Sequence, residues 1–169
     1  WALRLGMVIT IAGASLGGLM TRPTEGQLQQ IATTQQVSIV GAHTVGAPDG
    51  GRGLPGTGWS VEHGDLRVPH FIGLHALQVL PVIALLLWRR RIEDARRVRL
   101  MLVAGGSYAA VFSILIWQAL RGQAFIAPDA FTLAALGLWI ALTAGVAVWP
   151  FRTRPTQPDA DHSLNWINP

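Results

Sequence analysis

Four long apolar segments limit what this chain can fold into more than any other feature. They span about residues 2–20, 68–88, 100–120 and 130–149. A helix of about 20 apolar residues crosses a hydrocarbon core about 30 Å thick, and a helix satisfies its own backbone hydrogen bonds in lipid. The sequence therefore predicts an all-α integral membrane protein, a single membrane domain built as a bundle of four transmembrane helices.

The first segment has a second interpretation, which is a cleavable signal peptide rich in small residues. No clear cleavage site ends its apolar run, which favours a membrane span. The chain begins at Trp1 and enters this run almost at once. We therefore expect a fragment of a longer protein, with a further helix upstream.

The composition supports a membrane location and argues against nucleic-acid binding. Charged residues make up 13% of the chain, against about 25% in a typical domain. The arginines cluster beside an apolar segment, and no basic stripe is interleaved with aromatic residues. The chain contains no cysteine, which excludes disulfides and thiolate metal sites. The expected partners are the lipid bilayer and either a second copy or a membrane complex, with no nucleic acid.

The orientation follows from a short basic loop between the second and third segments. Residues 89–99 read RRRIEDARRVR and hold six arginines, and such loops stay in the cytoplasm. The tail 150–169 then lies on the same side, as does the N-terminus. Residues 21–67 and the turn 121–129 face outward. We expect a multi-pass protein of the bacterial inner membrane with a periplasmic loop, 21–67, and a cytoplasmic loop, 89–99.

The periplasmic loop has two predicted parts. Thr21 or Thr24 is a helix cap followed by good helix formers, which predicts a short surface helix. Residues 41–60 are dense in Gly and Pro but also carry apolar and charged side chains, which favours an ordered loop over the outer face. The sequence GAPDGGRG lacks the Lys and Ser/Thr of a P-loop, so nucleotide binding is not favoured.

The second span carries an arc of polar residues. On an ideal helix with 100° per residue, His70, His75 and Gln78 fall on one side within about 140°. We expect this side to face the bundle, and we expect the deeper His75 to matter more for stability than His70. The opposite side is apolar and is expected to face lipid; it consists of Ile72, Ala76, Val79 and Ile83.

Polar chemistry concentrates at the outer mouth of the bundle. The third span brings Gln118 to this level, and the loop above it carries further charged and imidazole side chains. The leading hypothesis is a binding or accessory protein with a polar pocket at this mouth. The predicted pocket residues are His70, His75, Gln78, His43, Asp49, Asp65, Arg67 and Gln118.

A different class of function is a membrane redox protein with haem b or a transition metal on His75. Neutral imidazole ligates both. His70 and His75 alone form a poor chelate at i,i+5, so a metal site would also need His43 or His63. A transporter ranks third, because four short spans lack the paired broken helices of such folds. A hydrolase ranks lower still, because no elbow motif accompanies Ser60.

The loop and the start of the second span also resemble a known pattern. Residues 41–60 read GAHTVGAPDGGRGLPGTGWS, and residues 64–81 read GDLRVPHFIGLHALQVLP. These blocks are similar to the HxVGxPDGGxGLP…GDLRxxHFxGLHxLQ signature of a family of uncharacterised bacterial multi-pass membrane proteins. Arg52 stands where that family has Pro. The resemblance implies a multi-pass architecture and singles out these residues, and it implies no reaction.

Overall fold

The computed structural model describes residues 1–36 and 40–152. The predicted tail 150–169 therefore lies outside the described residues from position 153 onward. The elements, in chain order, are α1 (Ala2–Met20), α2 (Glu25–Thr34), β1 (Thr44–Val45), β2 (Gly64–Asp65), α3 (Arg67–Trp88), α4 (Asp94–Leu120) and α5 (Ala130–Arg152).

Four of the helices, α1, α3, α4 and α5, lie in stretches long and apolar enough to cross a membrane. The prediction of four helical spans is confirmed at this level. One boundary differs from the prediction, because α4 begins at Asp94 rather than near residue 100. An acidic residue in the first turn suits the helix dipole, and arginine is a good helix former. The basic loop is therefore shorter than 89–99 and covers 89–93.

Helix α3 is the centre of the bundle, since α1 and α4 both pack against it and α5 packs against α4. Gly6, near the start of α1, lies against Leu77 of α3, whereas Gly17, near the end of α1, lies against His70. The two helices are therefore antiparallel. Tyr108 donates a hydrogen bond to the Ile72 carbonyl at 2.6 Å, which joins α4 to α3. One end of the bundle, the loop end, carries residues 21–36, 40–66 and 121–129; the other end carries 89–93.

Small residues bring α1 and α3 into close contact. A Cβ added at Gly73 would lie 2.6 Å from the Cα of Gly13 and 2.8 Å from the ring of Phe112. Neighbouring Ala76 and Leu80 are fully buried on the same face of α3. In lipid, such packing of small residues replaces the hydrophobic effect as the force that joins helices.

Residues 40–66, at the loop end, contain a short strand pair that was not predicted. β1 and β2 are antiparallel, with Thr44 opposite Asp65 and Val45 opposite Gly64. Gly64 lies so close to α4 that an added Cβ would meet the Ala119 carbonyl oxygen at 2.0 Å. Only glycine fits there, and the contact fixes the loop on the end of the bundle.

Helix α2 has the predicted cap. The Thr24 hydroxyl accepts from the Gln27 amide, and the Gln27 side chain accepts from the Thr24 amide, which forms a capping box. The Gln27 side chain also bonds both the amide and the carbonyl of Gly41 at 2.9 Å. The cap of α2 therefore holds the start of the glycine-rich loop as well.

The turn between α4 and α5 is held by its own polar network. Arg121 pairs with Asp129, and the Thr132 hydroxyl donates to the Gln123 side chain at 2.6 Å. The hydrogen bond from Arg121 and the Thr132 amide hold the pKa of Asp129 well below its ordinary value. This turn closes the loop end on the side of α4 and α5.

Candidate functional site

The structure brings together the four predicted pocket residues that lie before or at the start of α3. Asp65 is in β2, and His43 immediately precedes β1. Asp49 follows β1, and Arg67 is the first residue of α3. Their side chains form one connected network at the loop end. Four of the eight predicted pocket residues are therefore adjacent, and their use as a binding site stays a prediction.

Asp65 is the buried centre of this network, with 2% of its surface exposed. Arg67 binds its carboxylate through two nitrogens, with Nη2 to Oδ2 at 2.7 Å and Nε to Oδ1 at 3.0 Å. The backbone amides of Ser60 and Arg67 each donate to the same carboxylate at 2.9 Å. These bonds tie the end of the loop to the first turn of α3.

Asp49 and His43 complete the network on the other side. The Asp49 carboxylate accepts from the amides of His43 at 3.1 Å and Thr44 at 2.8 Å. The His43 Nδ1 lies 3.4 Å from Asp49 Oδ1 and 3.7 Å from Asp65 Oδ1. The Thr44 hydroxyl oxygen lies 3.3 Å from the same nitrogen. Nδ1 of His43 therefore lies between two carboxylates and a hydroxyl.

The two carboxylates are stabilised in their charged form. Burial alone raises the pKa of Asp65, but the hydrogen bonds from Arg67 and Ser60 outweigh it, so the pKa lies below its usual value. The same balance holds for Asp49, where bonds from Thr44 and His43 outweigh burial and lower the pKa. Both groups are therefore anionic at neutral pH.

A cavity of about 130 Å³ opens beside this network. Neither Asp49 nor Asp65 lines it, so both carboxylates stand behind its wall. The residues that line the cavity are His43, Thr44, Pro48, Gly50, Gly51, Gly58, Ser60, His63 and Arg67.

The wall of this cavity includes hydrogen-bond donors that have no partner within the described residues. Arg67 Nη1 makes no hydrogen bond within the described part of the chain, since Asp65 and the Gly58 carbonyl take the other nitrogens. The Ser60 hydroxyl oxygen accepts from the His63 amide at 3.0 Å, and its own hydrogen stays available. The amides of Gly50 and Gly51 are also without a partner among residues 1–36 and 40–152.

Sequence reasoning missed Thr44 as part of this wall. It considered the GAPDGGRG run, whose amides without side chains can face an anion, but did not favour it because the P-loop residues are absent. Ser60 and His63 do line one cavity, as the hydrolase alternative would require. Asp65, however, bonds the Ser60 amide and the Arg67 side chain, and within the described residues it makes no hydrogen bond to His63, the histidine that the hydrolase alternative requires.

His70 lies outside the cavity and joins two helices. Its Nδ1 is 2.8 Å from the Gly13 carbonyl of α1. A Cβ added at Gly17 would meet the His70 ring at 3.1 Å, so the ring fills the space that this glycine leaves. His70 is therefore a contact within the bundle at the loop end.

His75 and Gln78 do not face the bundle, and the expected lipid-facing side of α3 is wrong. Ala76, which was assigned to lipid, is fully buried, whereas Gln78 is exposed and His75 is half-buried. His75 Nδ1 bonds the Phe71 carbonyl of its own helix at 2.8 Å. When the Gln78 side-chain amide is flipped so that its nitrogen faces acceptors, this nitrogen donates to the Leu74 carbonyl at 3.0 Å and to the His75 carbonyl at 3.1 Å. Local bonds of this kind satisfy both side chains, so the small residues decide which face is buried.

Gln118 is buried, with 3% of its surface exposed, but it supports the α4–α5 turn. Its side-chain nitrogen donates to the Ala124 carbonyl at 2.8 Å. It shares a narrow void of about 10 Å³ with Asp65, too small for a ligand. Gln118 thus lies beside the network and outside the cavity that Arg67 lines.

The four candidate metal ligands are not gathered at one point. His43 and His63 line the loop-end cavity, whereas His70 bonds α1 and His75 bonds its own helix. No group of three or more His, Cys, Asp or Glu residues able to hold a metal ion lies among the described residues. The use of His75 as a haem or metal ligand stays a prediction.

Comparisons with known proteins complete the description of the site. No family model, no curated protein sequence and no solved structure matches this chain.

Proposed function

We propose that this protein is a membrane-bound binding protein for a small molecule that carries a carboxylate or phosphate group, held in the loop-end cavity. The observation that carries the proposal is the arrangement of Arg67. Asp65, which does not line the cavity, holds the Arg67 guanidinium in place. Arg67 itself lines the cavity, and its Nη1 is free within the described residues. A guanidinium held in this way is pre-organised for an oxyanion.

The rest of the wall supports the same chemistry. The Ser60 hydroxyl and the amides of Gly50 and Gly51 add uncharged donors, and backbone amides in a glycine-rich turn suit an anion. Asp65 is paired with Arg67, so its charge is largely neutralised before a ligand arrives. The volume of about 130 Å³ limits the ligand, or the bound part of a larger one, to a few heavy atoms.

We also propose the orientation, with the cavity in the periplasm of a bacterium and residues 89–93 and both ends of the chain in the cytoplasm. The support is the cluster of arginines next to α3. Cysteines placed at Val45 and Asp94 should react with a membrane-impermeant thiol reagent from opposite sides of the membrane. Labelling of both from one side would overturn the orientation. Kinship with the family of bacterial multi-pass proteins is part of this proposal.

The binding proposal can be tested by calorimetric titration of the purified protein in detergent. The probes are inorganic phosphate and short carboxylates, each compared with its neutral amide or ester. The charged probe should bind, and the neutral one should bind at least about tenfold more weakly. Equal affinity for both, or no heat with any charged probe at millimolar concentration, would overturn the proposal.

His63→Ala separates binding from folding. The His63 ring lines the cavity and makes no hydrogen bond within the described residues, so its loss should weaken binding without lowering the melting temperature. Arg52→Ala is the matched control, because Arg52 is exposed in the same loop and does not line the cavity. Equal losses of affinity in both variants would indicate general attraction of charge instead of a site.

A further inference from the structure

The charges around the loop-end cavity do not balance. Asp65 and Arg67 form an ion pair through two nitrogens, so their charges offset one another. Asp49 forms no salt bridge with an arginine within the described residues, and backbone amides donate to its carboxylate. Because Asp49 is anionic at neutral pH, one negative charge is left over whenever the neighbouring His43 ring is neutral.

Other groups near the cavity do not supply the missing positive charge. Arg52 and Glu62 of the same loop pair with each other at 3.7 Å, so they add no net charge. The end of α1 places the uncharged Met20 beside His43. His63 lines the cavity and makes no ion pair within the described part of the chain. The charged groups that face His43 are Asp49 from the loop after β1, Asp65 from β2 and Arg67 from α3.

A bound anion makes this imbalance larger. The proposed ligand brings a further negative charge to Arg67, which carries a single positive charge and already offsets Asp65. Asp49 and the ligand are then two like charges without compensation in a partly buried site, and their repulsion opposes binding. A group that gains a positive charge near neutral pH would remove this repulsion.

His43 is placed to provide that positive charge. Histidine is the side chain that changes its charge between about pH 5 and 8. The His43 ring lines the cavity, and its Nδ1 lies 3.4 Å from Asp49 Oδ1 and 3.7 Å from Asp65 Oδ1. A protonated ring donates from both nitrogens, so it can face a carboxylate with one of them and keep a second donor. Of the two histidines that line the cavity, only His43 lies at ion-pair distance from a carboxylate of the described residues.

We propose that the loop-end cavity takes up one proton from water with each anion it binds, and that His43 holds this proton. The inference rests on the proposed function, since it states how that same site is regulated. The anion and the proton favour each other's binding by the same factor, because the coupling between two bound species is reciprocal. The anion is therefore bound more tightly as the pH falls and is released as the pH rises. The gain ends at the pH where the ring is protonated before the anion arrives.

Calorimetric titration of the purified protein in detergent counts the protons. Acetate and sulfate are the probes, because both stay fully charged between about pH 6 and 8 and exchange no proton of their own. The heat of binding in two buffers with different ionisation enthalpies gives the number of protons taken up. We expect uptake near pH 7 and an affinity about tenfold higher at pH 6 than at pH 8. Binding without uptake, at equal affinity, would overturn this inference alone. No heat from any charged probe would overturn the proposed function with it.

Two histidine variants assign the proton. His43→Gln keeps a polar side chain that cannot become charged, so the proton uptake and the pH dependence of the affinity should both disappear. His63→Gln is the matched control, because His63 lines the same cavity and has no carboxylate of the described residues at ion-pair distance. This control should keep both properties. Uptake that persists in His43→Gln and is lost in His63→Gln would overturn the assignment to His43.

Asp49→Asn tests the charge imbalance itself. The remaining carboxamide oxygen can still accept from the amides of His43 and Thr44, but the leftover negative charge is gone. The affinity for acetate at pH 8 should therefore rise about tenfold, and the proton uptake should disappear. Damage to the loop would lower the affinity instead. Lower affinity with unchanged uptake, in a variant that keeps the melting temperature of the original protein, would overturn the proposal.

Discussion

The loop end and the α1–α3 contact are held together by opposite means. At the loop end, the Asp65 carboxylate accepts hydrogen bonds from the Ser60 amide and from the amide, Nε and Nη2 of Arg67. Between α1 and α3, Gly13 and Gly73 lie so close that no side chain fits between them. The difference follows from the surroundings. At the loop end, where water competes for hydrogen bonds, paired charges hold one geometry. In lipid, the free energy that stabilises the helix contact comes from close packing.

The largest effect is expected from filling the helix contact. Gly73→Leu should destabilise the bundle by about 3 kcal/mol or more, because the added atoms meet both backbone and the Phe112 ring and force the helices apart. Unfolding in a titration with a denaturing detergent, followed by circular dichroism, measures this. Gly137→Leu on α5 is the control, since an added Cβ there meets no described atom within 4 Å. Equal midpoints of unfolding for the two variants would show that the Gly13–Gly73 contact does not stabilise the bundle.

Breaking the network at the loop end should have the next largest effect. Asp65→Ala leaves Arg67 and two amides without their acceptor and should cost about 2–3 kcal/mol. Glu62→Ala removes one partner of an exposed pair with Arg52 in the same loop, where about 0–1 kcal/mol is expected. Thermal unfolding of both variants decides the matter. A smaller loss for Asp65→Ala than for Glu62→Ala would show that the buried network does not stabilise the loop.

A smaller effect distinguishes the two histidines of α3. His70→Ala removes a bond between helices and should cost about 1 kcal/mol. His75→Ala removes a bond within one helix and should cost less in monomeric protein. This order reverses the expectation from depth alone. The midpoints of unfolding in detergent at low protein concentration compare the two variants. A larger loss of stability for His75→Ala would support the expectation from depth.

The smallest effect is a dependence on acid. The pKa of Asp65 and that of Asp49 are lower in the folded protein than the ordinary value of 3.8. A lowered folded-state pKa contributes stability that is present above the unfolded value and is lost as the pH falls through the folded value. The melting temperature should therefore fall as the pH drops below about 4. Asp65→Asn should reduce this fall in melting temperature. An unchanged dependence of the melting temperature on pH would contradict the assignment of the effect to Asp65.

The sequence was sufficient for the spans, the Thr24 cap and the meeting of His43, Asp49 and Arg67. Each depends on local pattern, since about 20 apolar residues must form a helix in lipid and one loop brings its own charges together. The two-residue strands were not predictable, because they depend on the fit of Gly64 against Ala119. Nothing near them in sequence indicates that contact.

The orientation of α3 was wrong for a physical reason. The helical-wheel argument assumed that His75 and Gln78 must turn inward to find partners. His75 bonds a backbone carbonyl one turn back on its own helix, and Gln78 does so when its side-chain amide is flipped, so polarity does not fix the rotation of α3. The signal that does fix it was present as glycine at positions 6, 13 and 73. In a membrane helix, the smallest residues are the better guide to the inner face.

Arg67 has a consequence through its position in the chain. It lines the cavity and is also the first residue of α3, the helix against which both α1 and α4 pack. An anion bound to its guanidinium therefore acts on the first turn of the central helix. A ligand that binds only the folded state raises the free energy of unfolding once its concentration exceeds the dissociation constant. The midpoint of unfolding of the whole bundle should therefore rise with the concentration of phosphate.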